Sequence, residues 1–290
     1  MDKYLNTYRE MLSLRGLTDH TLMSYCTYIR AYLEYLSDIL HKQPESVTWD
    51  ELRDYIRWIQ KERSLSDRTV NASISQLRFF TIYVLHKPWD DTQLPMRKFD
   101  TYLPYAPTQK EVQLFLDSLP TLKQKAMVSL MYSSGLRVGE VCSLKYKDIE
   151  RSSMRIHVAK TKNRSDRYAV LSQKALDILT EYWYEYDRPM DWLFPAKQDP
   201  SRPIKTAVVN HQVLELRRKL CLNPKLNSHS FRHAFATHLY ESGTDLLTIK
   251  ELLGHKSITS TVIYVHLASY TLRKIYSPFD QINGGMLHDR

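Results

Sequence analysis

Glycine is scarce in this chain, and its absence from particular positions excludes a common class of enzyme. Only 7 glycines occur in 290 residues, and none has the spacing of a P-loop or of a dinucleotide-binding fingerprint. Those motifs need glycine because the backbone must approach a phosphate closely. We therefore expect no bound nucleotide and no dependence on ATP.

Cysteine is scarcer still, and long apolar runs are missing. The cysteines, Cys26, Cys142 and Cys221, are widely spaced and form no C-x-x-C pair, which predicts reduced thiols in a cytosolic protein. No run of about 18 apolar residues occurs, and the chain starts on a mixed polar helix rather than an apolar signal sequence. We expect a cytoplasmic protein with no membrane partner.

Acidic residues are outnumbered by basic ones. The chain has 41 Lys and Arg against 32 Asp and Glu, a formal net charge of +9. A basic surface gains affinity for DNA by releasing condensed counterions, but it can also serve solubility alone. Charge by itself leaves both interpretations open.

The N-terminal part of the chain has apolar side chains at helical spacing. Runs of apolar residues recur three and four apart, and polar residues that can begin a helix, such as Thr18, Thr48 and Asp67, precede them. We expect an all-helical domain over residues 1–88. The proline-rich segment 89–107 breaks the periodicity and predicts a linker, since proline disfavours helix at the residue before it.

The second domain, residues 108–290, is predicted to be mainly helical with one small sheet. Thr108 and Glu111 have the spacing of a capping box, so a helix starts the domain. Met154, Ile156 and Val158 alternate with polar residues before a basic turn, which predicts a β-hairpin that continues through Tyr168 and Val170. This hairpin is either a solvated surface or a finger that contacts DNA through Lys160, Lys162, Arg164 and Arg167.

Five side chains in this domain have the chemistry needed to attack a phosphodiester. They are Arg137, His229, Arg232, His255 and Tyr264. The reaction needs a nucleophile, a proton acceptor, a proton for the leaving alkoxide and donors for the non-bridging oxygens. Arginine suits the last task because its planar fork binds phosphate and keeps its charge. A free phenol, with a pKa of about 10, is only ~0.1% ionised at neutral pH, so cations and a base must assist it.

The segments that hold these residues resemble the tyrosine site-specific recombinases, the phage integrase family, and especially their bacterial Xer branch. The helical N-terminal domain is similar to that family's core-binding domain, so the resemblance covers nearly the whole chain. The matching motifs are SGLRVGE (134–140), HSFRHAFATHL (229–239), LLGH (252–255) and TVIYVH (261–266).

The resemblance implies a role for each of the five side chains. Arg137 and Arg232 would bind the scissile phosphate, and Tyr264 would attack it to give a 3′-phosphotyrosine and a free 5′-hydroxyl. His229 would accept or relay the phenolic proton. His255 would donate a hydrogen bond to a non-bridging oxygen.

Two further residues are candidates for supporting roles. Glu140 resembles the acidic residue that orients the active site in this family, although an exposed helix charge would look the same. His233 lies four residues after His229, a spacing that can bind zinc, but the glutamate of an H-E-x-x-H site is missing. We expect no metal and no cofactor, and we place His233 beside the site.

The leaving-group acid of this family is a hairpin lysine, and here the sequence departs from the Xer pattern. The usual Lys-Gly turn is replaced by KTKN at 160–163, so two lysines compete for the role. Lys160 follows the strand directly and matches the Lys-Thr pair of many phage integrases. We assign the role of the acid to Lys160 and keep Lys162 as the alternative. If Lys162 is not the acid, we expect it to position a phosphate.

The resemblance also implies an architecture and partners. We expect a mainly α protein with a small β-sheet in its C-terminal domain, folded as a two-domain clamp around double-stranded DNA. Four subunits, or copies paired with a related recombinase, would exchange strands at paired inverted recognition sites through a Holliday junction, in association with the nucleoid. The segment at about 266–290 would dock on a neighbouring subunit or, alternatively, cover its own.

Two other functions fit part of the pattern. A type IB topoisomerase shares the tyrosine and the arginines but relaxes supercoils, and its usual size and linker fit less well. A binding-only protein would keep the fold without cleavage, yet every expected catalytic position is filled. We therefore predict site-specific recombination, by an integrase, a transposon recombinase of a mobile element or an Xer-type resolvase.

Overall fold

The structure, a computed structural model, describes residues 2–100, 102–159 and 166–268. The chain divides into two compact units, Met1–Thr101 and Tyr102–Arg290. The division falls inside the proline-rich segment where helical periodicity fails in the sequence. We refer to the two as the N-terminal unit and the C-terminal unit.

Short polar side chains fix the starts of the helices in the N-terminal unit. Thr18, Thr48 and Ser66 each occupy an N-cap and accept a hydrogen bond from a first-turn N–H, which satisfies a donor that the helix leaves unpaired. Glu51 returns the bond to Thr48 and completes a capping box. The helices are α1 (Asp2–Leu14), α2 (Asp19–Tyr35), α3 (Trp49–Lys61) and α4 (Asp67–Tyr83), with a π-helical turn at Leu36–Leu40 and a 3₁₀ turn at Pro44–Ser46.

Aromatic rings form the centre of this unit. The ring of Tyr32 meets those of Tyr55 and Phe80 edge to face, at 5.1 and 6.2 Å between centroids. Such pairs contribute about 0.5–1.5 kcal/mol beyond the burial of their area. The hydroxyl of buried Tyr8 donates to Gln76 Oε1 at 2.7 Å, so its polar tip is satisfied inside the core.

The C-terminal unit begins with the capping box that the sequence predicts. Glu111 N donates to Thr108 Oγ1, and Thr108 N donates to Glu111 Oε2, so the first helix starts at Gln109. The helices are α5 (Gln109–Asp117), α6 (Leu122–Ser133), α7 (Val138–Cys142), α8 (Gln173–Glu185), α9 (Thr206–Lys219), α10 (Ser228–Glu241), α11 (Leu246–Leu253) and α12 (Thr259–Leu267), with a 3₁₀ turn at Tyr146–Asp148.

A small antiparallel sheet lies between α7 and α8 in the chain. Its strands are β1 (Ile149–Glu150), β2 (Arg155–Val158) and β3 (Arg167–Val170), in the order β1-β2-β3. Val158 pairs with Arg167, and Ile156 with Ala169. Ile156, Val158 and Ala169 are buried, and the Arg167 side chain is 9% exposed.

The two apolar residues that alternate in β3 lie on its solvent side. Tyr168 is 47% exposed and Val170 is 45% exposed. A local contact explains the outward position of Tyr168, because the guanidinium of Arg155 covers its ring at 4.1 Å from the ring centroid. The inward positions of β3 therefore belong to Arg167 and Ala169, the opposite of what apolar alternation alone indicates.

Helix α6 lies at the centre of the C-terminal unit and packs against both α8 and α10. Ala126, Met127, Leu130 and Met131 are at most 1% exposed, as expected for a helix that is covered on all sides. Most residues in the first half of α10 are buried, and Phe231 is in edge-to-face contact with Phe115 of α5. This packing fixes the helix that bears the HSFR motif.

Two smaller expectations concern the thiols and membrane spans. Cys26, Cys142 and Cys221 are unpaired. Within the part of the chain that the structure describes, no helix combines the length and apolarity needed to span a bilayer.

Candidate active site

The turn before Arg137 is built around a glycine. Gly135 has a φ of +62°, and a Cβ there would lie 2.4 Å from a ring carbon of Phe235, so no other residue fits both the backbone and the space. The chain then enters α7, where Glu140 accepts hydrogen bonds from Arg137 N at 2.9 Å and Arg137 Nη1 at 2.8 Å. This carboxylate aims Arg137, whose side chain keeps 28% of its area exposed.

Arg232, on the buried side of α10, is the most enclosed charge of the site. Its side chain is 1% exposed, and its Nη1 and Nη2 donate to the carbonyls of Gly135 and Leu253 at 2.7 and 2.6 Å. Burial and the neighbouring Arg137 charge lower the pKa of Arg232 to about 9, so it remains a cation at neutral pH. It therefore joins the turn before Arg137 to the end of α11.

Glu140 neutralises part of this cluster. Its Oε2 lies 2.9 Å from Arg167 Nη2 and 3.8 Å from Arg232 Nη1. Burial raises the pKa of Glu140, but the Arg167 charge, the hydrogen bond from Arg137 N and the other arginine charges outweigh it, so the pKa is lowered. The carboxylate is ionised at neutral pH and is shared by three guanidiniums.

His255 follows α11 at a tight turn. Asp245 caps the start of this helix, and Gly254 ends it in the left-handed conformation, with a φ of +64°. His255 Nδ1 lies 3.0 Å from the hydroxyl of Thr261, a fully buried residue of α12. Burial, with the charges of nearby arginines, lowers the pKa of His255 to about 4. Its imidazole is therefore neutral and has one N–H to donate.

Two histidines in the first turns of α10 face each other. The rings of His229 and His233 are 4.6 Å apart between centroids and nearly perpendicular. Burial and the charges of Arg232 and Arg137 lower the pKa of His229. Burial, with His229 next, lowers the pKa of His233 to about 3. Both rings are neutral at pH 7, so His229 can accept a proton.

Tyr264 lies on α12 among these groups and is 1% exposed. Its ring centroid is 5.8 Å from that of His233 and 6.3 Å from that of His255. Burial raises the pKa of Tyr264, while the charges of Arg232 and Arg137 lower it and offset part of the shift. The phenol is protonated before DNA binds, and the arginines act in the direction that favours its ionisation.

The structure thus brings most of the predicted residues into one site within a single chain. Arg167, predicted to contact DNA, lies in the arginine cluster on Glu140 instead of on open surface. Lys160, Lys162 and Arg164 lie outside the described residues, as does the part beyond Ala268 of the segment that is predicted to dock at about 266–290. Over residues 2–100, 102–159 and 166–268, no group of three His, Cys, Asp or Glu side chains could hold a metal ion.

Sequence reasoning missed Thr261, and it named Arg167 only as a DNA contact. Thr261 stands one helical turn before Tyr264 inside the TVIYVH motif, so its position on that face was a usable signal. Arg167 shares its side of β3 with Ala169, and an apolar pattern read from Tyr168 and Val170 conceals this. Its partner Glu140 is 27 residues away.

Comparison with known proteins identifies the family. The profile of the phage integrase family matches residues 107–270, and that of the phage integrase N-terminal SAM-like domain matches residues 4–91. The chain belongs to the phage integrase family. The resemblance stated from the motifs is confirmed, and so is a mainly helical fold with a small sheet.

Relatives of this phage integrase family member include curated recombinases. It is 33% identical to the integrase/recombinase y4qK of Sinorhizobium fredii, over 93% of this chain and 86% of the relative. It is 26% identical to the tyrosine recombinase XerC of Halalkalibacterium halodurans, over 95% of this chain and 96% of the relative. These matches support a tyrosine recombinase of Xer-like type.

Solved structures share the fold. The XerH site-specific recombinase bound to a palindromic difH substrate aligns with a TM-score of 0.73 and 20% identity, over 92% of this chain and 82% of that one. The Tn1549 transposon integrase in complex with circular intermediate DNA aligns with a TM-score of 0.72 and 19% identity, over 96% of each chain.

Proposed function

We propose that this recombinase cuts and rejoins double-stranded DNA at specific sites through a covalent link between Tyr264 and a 3′-phosphate. The observation that carries the proposal is the placement of buried Tyr264 beside neutral imidazoles, within the field of Arg137 and Arg232. Two guanidiniums can stabilise the charge that develops on the non-bridging oxygens in the transition state.

The chemistry follows from the state of each group. The Tyr264 oxygen forms a bond to phosphorus while the bond from phosphorus to the 5′-oxygen breaks. Neutral His229 takes the phenolic proton, and the N–H of neutral His255 donates to a non-bridging oxygen. We assign the proton for the departing 5′-oxygen to Lys160, with Lys162 as the alternative.

Rejoining is the reverse of cleavage. The phosphotyrosine keeps the energy of the broken phosphodiester, so a 5′-hydroxyl from another strand can displace Tyr264 without a nucleotide or another cofactor. Passing through a Holliday junction in this way exchanges strands between two duplexes. A type IB topoisomerase would reseal the same strand, and the family and relatives of this chain do not favour that alternative.

The proposed partner is DNA with paired inverted recognition sites, bound by four subunits or by copies paired with a related recombinase. The net charge of +9 supports a polyanionic partner. Structures of the XerH recombinase with difH and of lambda integrase as a dimer on a core site contain DNA. We place the protein in the cytoplasm, at the nucleoid, as a resolvase or as the recombinase of a mobile element.

Covalent trapping tests the proposal. The recognition site is first mapped by footprinting. A duplex that carries this site and a nick close to the scissile phosphate loses the short 5′-hydroxyl fragment between the two after cleavage, so the protein remains attached. We expect the wild type to give a covalent complex that survives denaturing electrophoresis and Tyr264→Phe to give none.

Tyr182→Phe is the matched control. Tyr182 is also buried in the C-terminal unit, but its hydroxyl donates to Leu193 O at 2.8 Å, away from the cluster. This variant should trap DNA as the wild type does. A wild type that binds the site tightly without trapping would indicate a binding-only protein.

A further inference from the structure

Arg167 contacts two parts of the active site that come from different elements. It opens β3 opposite Val158 and points inward with Ala169. Its side chain is 9% exposed although it carries a full charge. An arginine on a sheet face buries such a charge only when particular contacts hold it there.

The guanidinium of Arg167 holds the carboxylate that aims Arg137. Its Nη2 donates to Glu140 Oε2 at 2.9 Å, the same oxygen that accepts from Arg137 N. Among the charges near Glu140, that of Arg167 lowers the pKa of this carboxyl most. Arg167 therefore acts on Arg137 through Glu140.

The stem of Arg167 packs against the turn that bears His255. A Cβ added to Gly254 would lie 2.7 Å from Arg167 Cδ and 2.9 Å from its Nε. These distances are shorter than carbon contacts allow, so the glycine lets the stem approach the backbone. One side chain thus contacts both the turn that bears His255 and the Glu140 carboxylate.

This arrangement is not the one that stability alone favours. Among the residues that the structure describes, buried Arg167 Nε and Nη1 have no hydrogen-bond partner, and the same holds for Arg232 Nε. Buried donors without partners are destabilising. Three guanidiniums share one carboxylate, so the cluster carries an excess of positive charge that an anion would neutralise.

We propose that Arg167 is a positioning residue for phosphoryl transfer: it fixes Arg137 through Glu140 and His255 through Gly254, at the separation that one phosphate requires. The proposal rests on the function proposed above. It differs from the DNA contact that the basic hairpin suggests, because a positioning residue governs the rate of cleavage and a DNA contact governs affinity.

The test compares Arg167→Met, Arg167→Lys and the wild type on nicked duplexes at saturating concentration. We expect Arg167→Met to form the covalent complex about 100-fold more slowly, as when one oxyanion donor is lost. Arg167→Lys keeps the charge without the fork and should be about tenfold slower. The dissociation constant of uncleaved DNA, measured with Tyr264→Phe in each background, should change less than about threefold.

A neutral scissile phosphorus separates positioning from general damage to the fold. In a methylphosphonate, a methyl group replaces one non-bridging oxygen, and the charge that the arginines stabilise is removed. The ratio of wild-type to Arg167→Met rates should therefore fall at least about tenfold on this substrate. A defect of structural origin would have the same size on both substrates.

Arg155→Met is the matched control. Arg155 lies on β2 of the same sheet and pairs with Glu150 at 2.6 Å, but it is 47% exposed and outside the cluster. Its cleavage rate should equal that of the wild type. If Arg167→Met does not fold, Arg167→Lys decides with the same two substrates.

Three results would overturn the inference. The first is that Arg167→Met and Arg167→Lys form the covalent complex at the wild-type rate. The second is that Arg167→Met loses affinity for DNA while its rate at saturating DNA is unchanged. The third is that its rate falls equally on the phosphodiester and the methylphosphonate. All three results can be obtained only if the wild type traps DNA. A wild type that does not trap DNA contradicts the proposed function itself, so this failure is distinguished from a failure of the proposed role of Arg167.

Discussion

The two units of this protein bury tyrosines in different surroundings. Tyr8 of the N-terminal unit and Tyr264 of the C-terminal unit are each at most 1% exposed. Burial raises the pKa of both phenols, but around Tyr8 the neighbours Cys26 and Tyr25 raise it further, whereas around Tyr264 two arginines lower it. Charge around the ring, not burial, distinguishes the proposed nucleophile from a core residue.

Buried charges also differ between the two units. Across the described part of the N-terminal unit the buried polar side chains are the neutral Ser73 and Gln76, whereas the C-terminal unit buries the charged Asp148 and Arg232 in addition to neutral Ser and Thr residues. Burying a charge is costly unless partners compensate. The first unit is therefore organised for packing, and the second accepts electrostatic strain where chemistry is expected.

The largest expected effect concerns an arginine of the active site. Arg137→Gln keeps a polar side chain but removes a charge, so the rate of covalent complex formation should fall about 10²–10³-fold. Arg97→Gln in the N-terminal unit is the comparison, because Arg97 pairs with Asp67 at 2.6 Å and is only partly exposed. Its rate at saturating DNA should not change, and equal defects in the two variants would remove the contrast between the units.

Tyr8→Phe tests the opposite side of the comparison. The change leaves Gln76 Oε1 without its donor inside the core, so the free energy of unfolding should fall by about 1–3 kcal/mol. Urea denaturation followed by tryptophan fluorescence measures the loss. Covalent trapping at saturating DNA should persist, and its disappearance would contradict a purely structural role.

The pH dependence of cleavage tests the neutral histidines. Because the pKa of His229 lies below its ordinary value of 6.5, more than half of the imidazole is still neutral at pH 6.5. The acidic limb of kcat/KM for cleavage should therefore have its midpoint below pH 6.5 and decline about tenfold per pH unit below the lowered pKa. In His229→Gln that acidic limb should vanish. An acidic limb with its midpoint above pH 6.5 would assign the proton to another group.

The smallest effects should be alike in both units. Thr48 and Thr108 begin helices with the same capping box, so Thr48→Ala and Thr108→Ala should each lower the free energy of unfolding by about 1 kcal/mol. Thermal or urea denaturation measures both. A much larger loss for one variant would show that its helix has a role beyond local capping.

Local physics explains which parts of the fold the sequence predicts. Helix starts at Thr48 and Thr108 depend on residues within one turn, and both capping boxes are present. Arg137, Arg232 and Tyr264 stand in motifs that resemble those of a known family. Their proximity in space is a fact of tertiary packing, which periodicity does not report.

Contacts between distant segments explain what was missed. Arg232 donates to the carbonyls of Gly135 and Leu253, which lie 97 and 21 positions away from it in the chain. A backbone carbonyl has no signature in a sequence. The charge of the hairpin predicts a DNA contact for Arg167, because net charge does not report the side of the strand on which a residue lies. A shift of one position exchanges the two faces of a strand, and the local pattern favoured Tyr168.

The two carbonyl bonds of Arg232 have a practical consequence for anyone preparing an inert form of this enzyme. Replacing that guanidinium would also release the peptide oxygens of Gly135 and Leu253, so lost activity would be mixed with a loosened frame. Tyr264→Phe deletes a single oxygen atom and leaves both anchors attached. It is the appropriate variant for capturing uncleaved DNA in a crystal or on a cryo-EM grid.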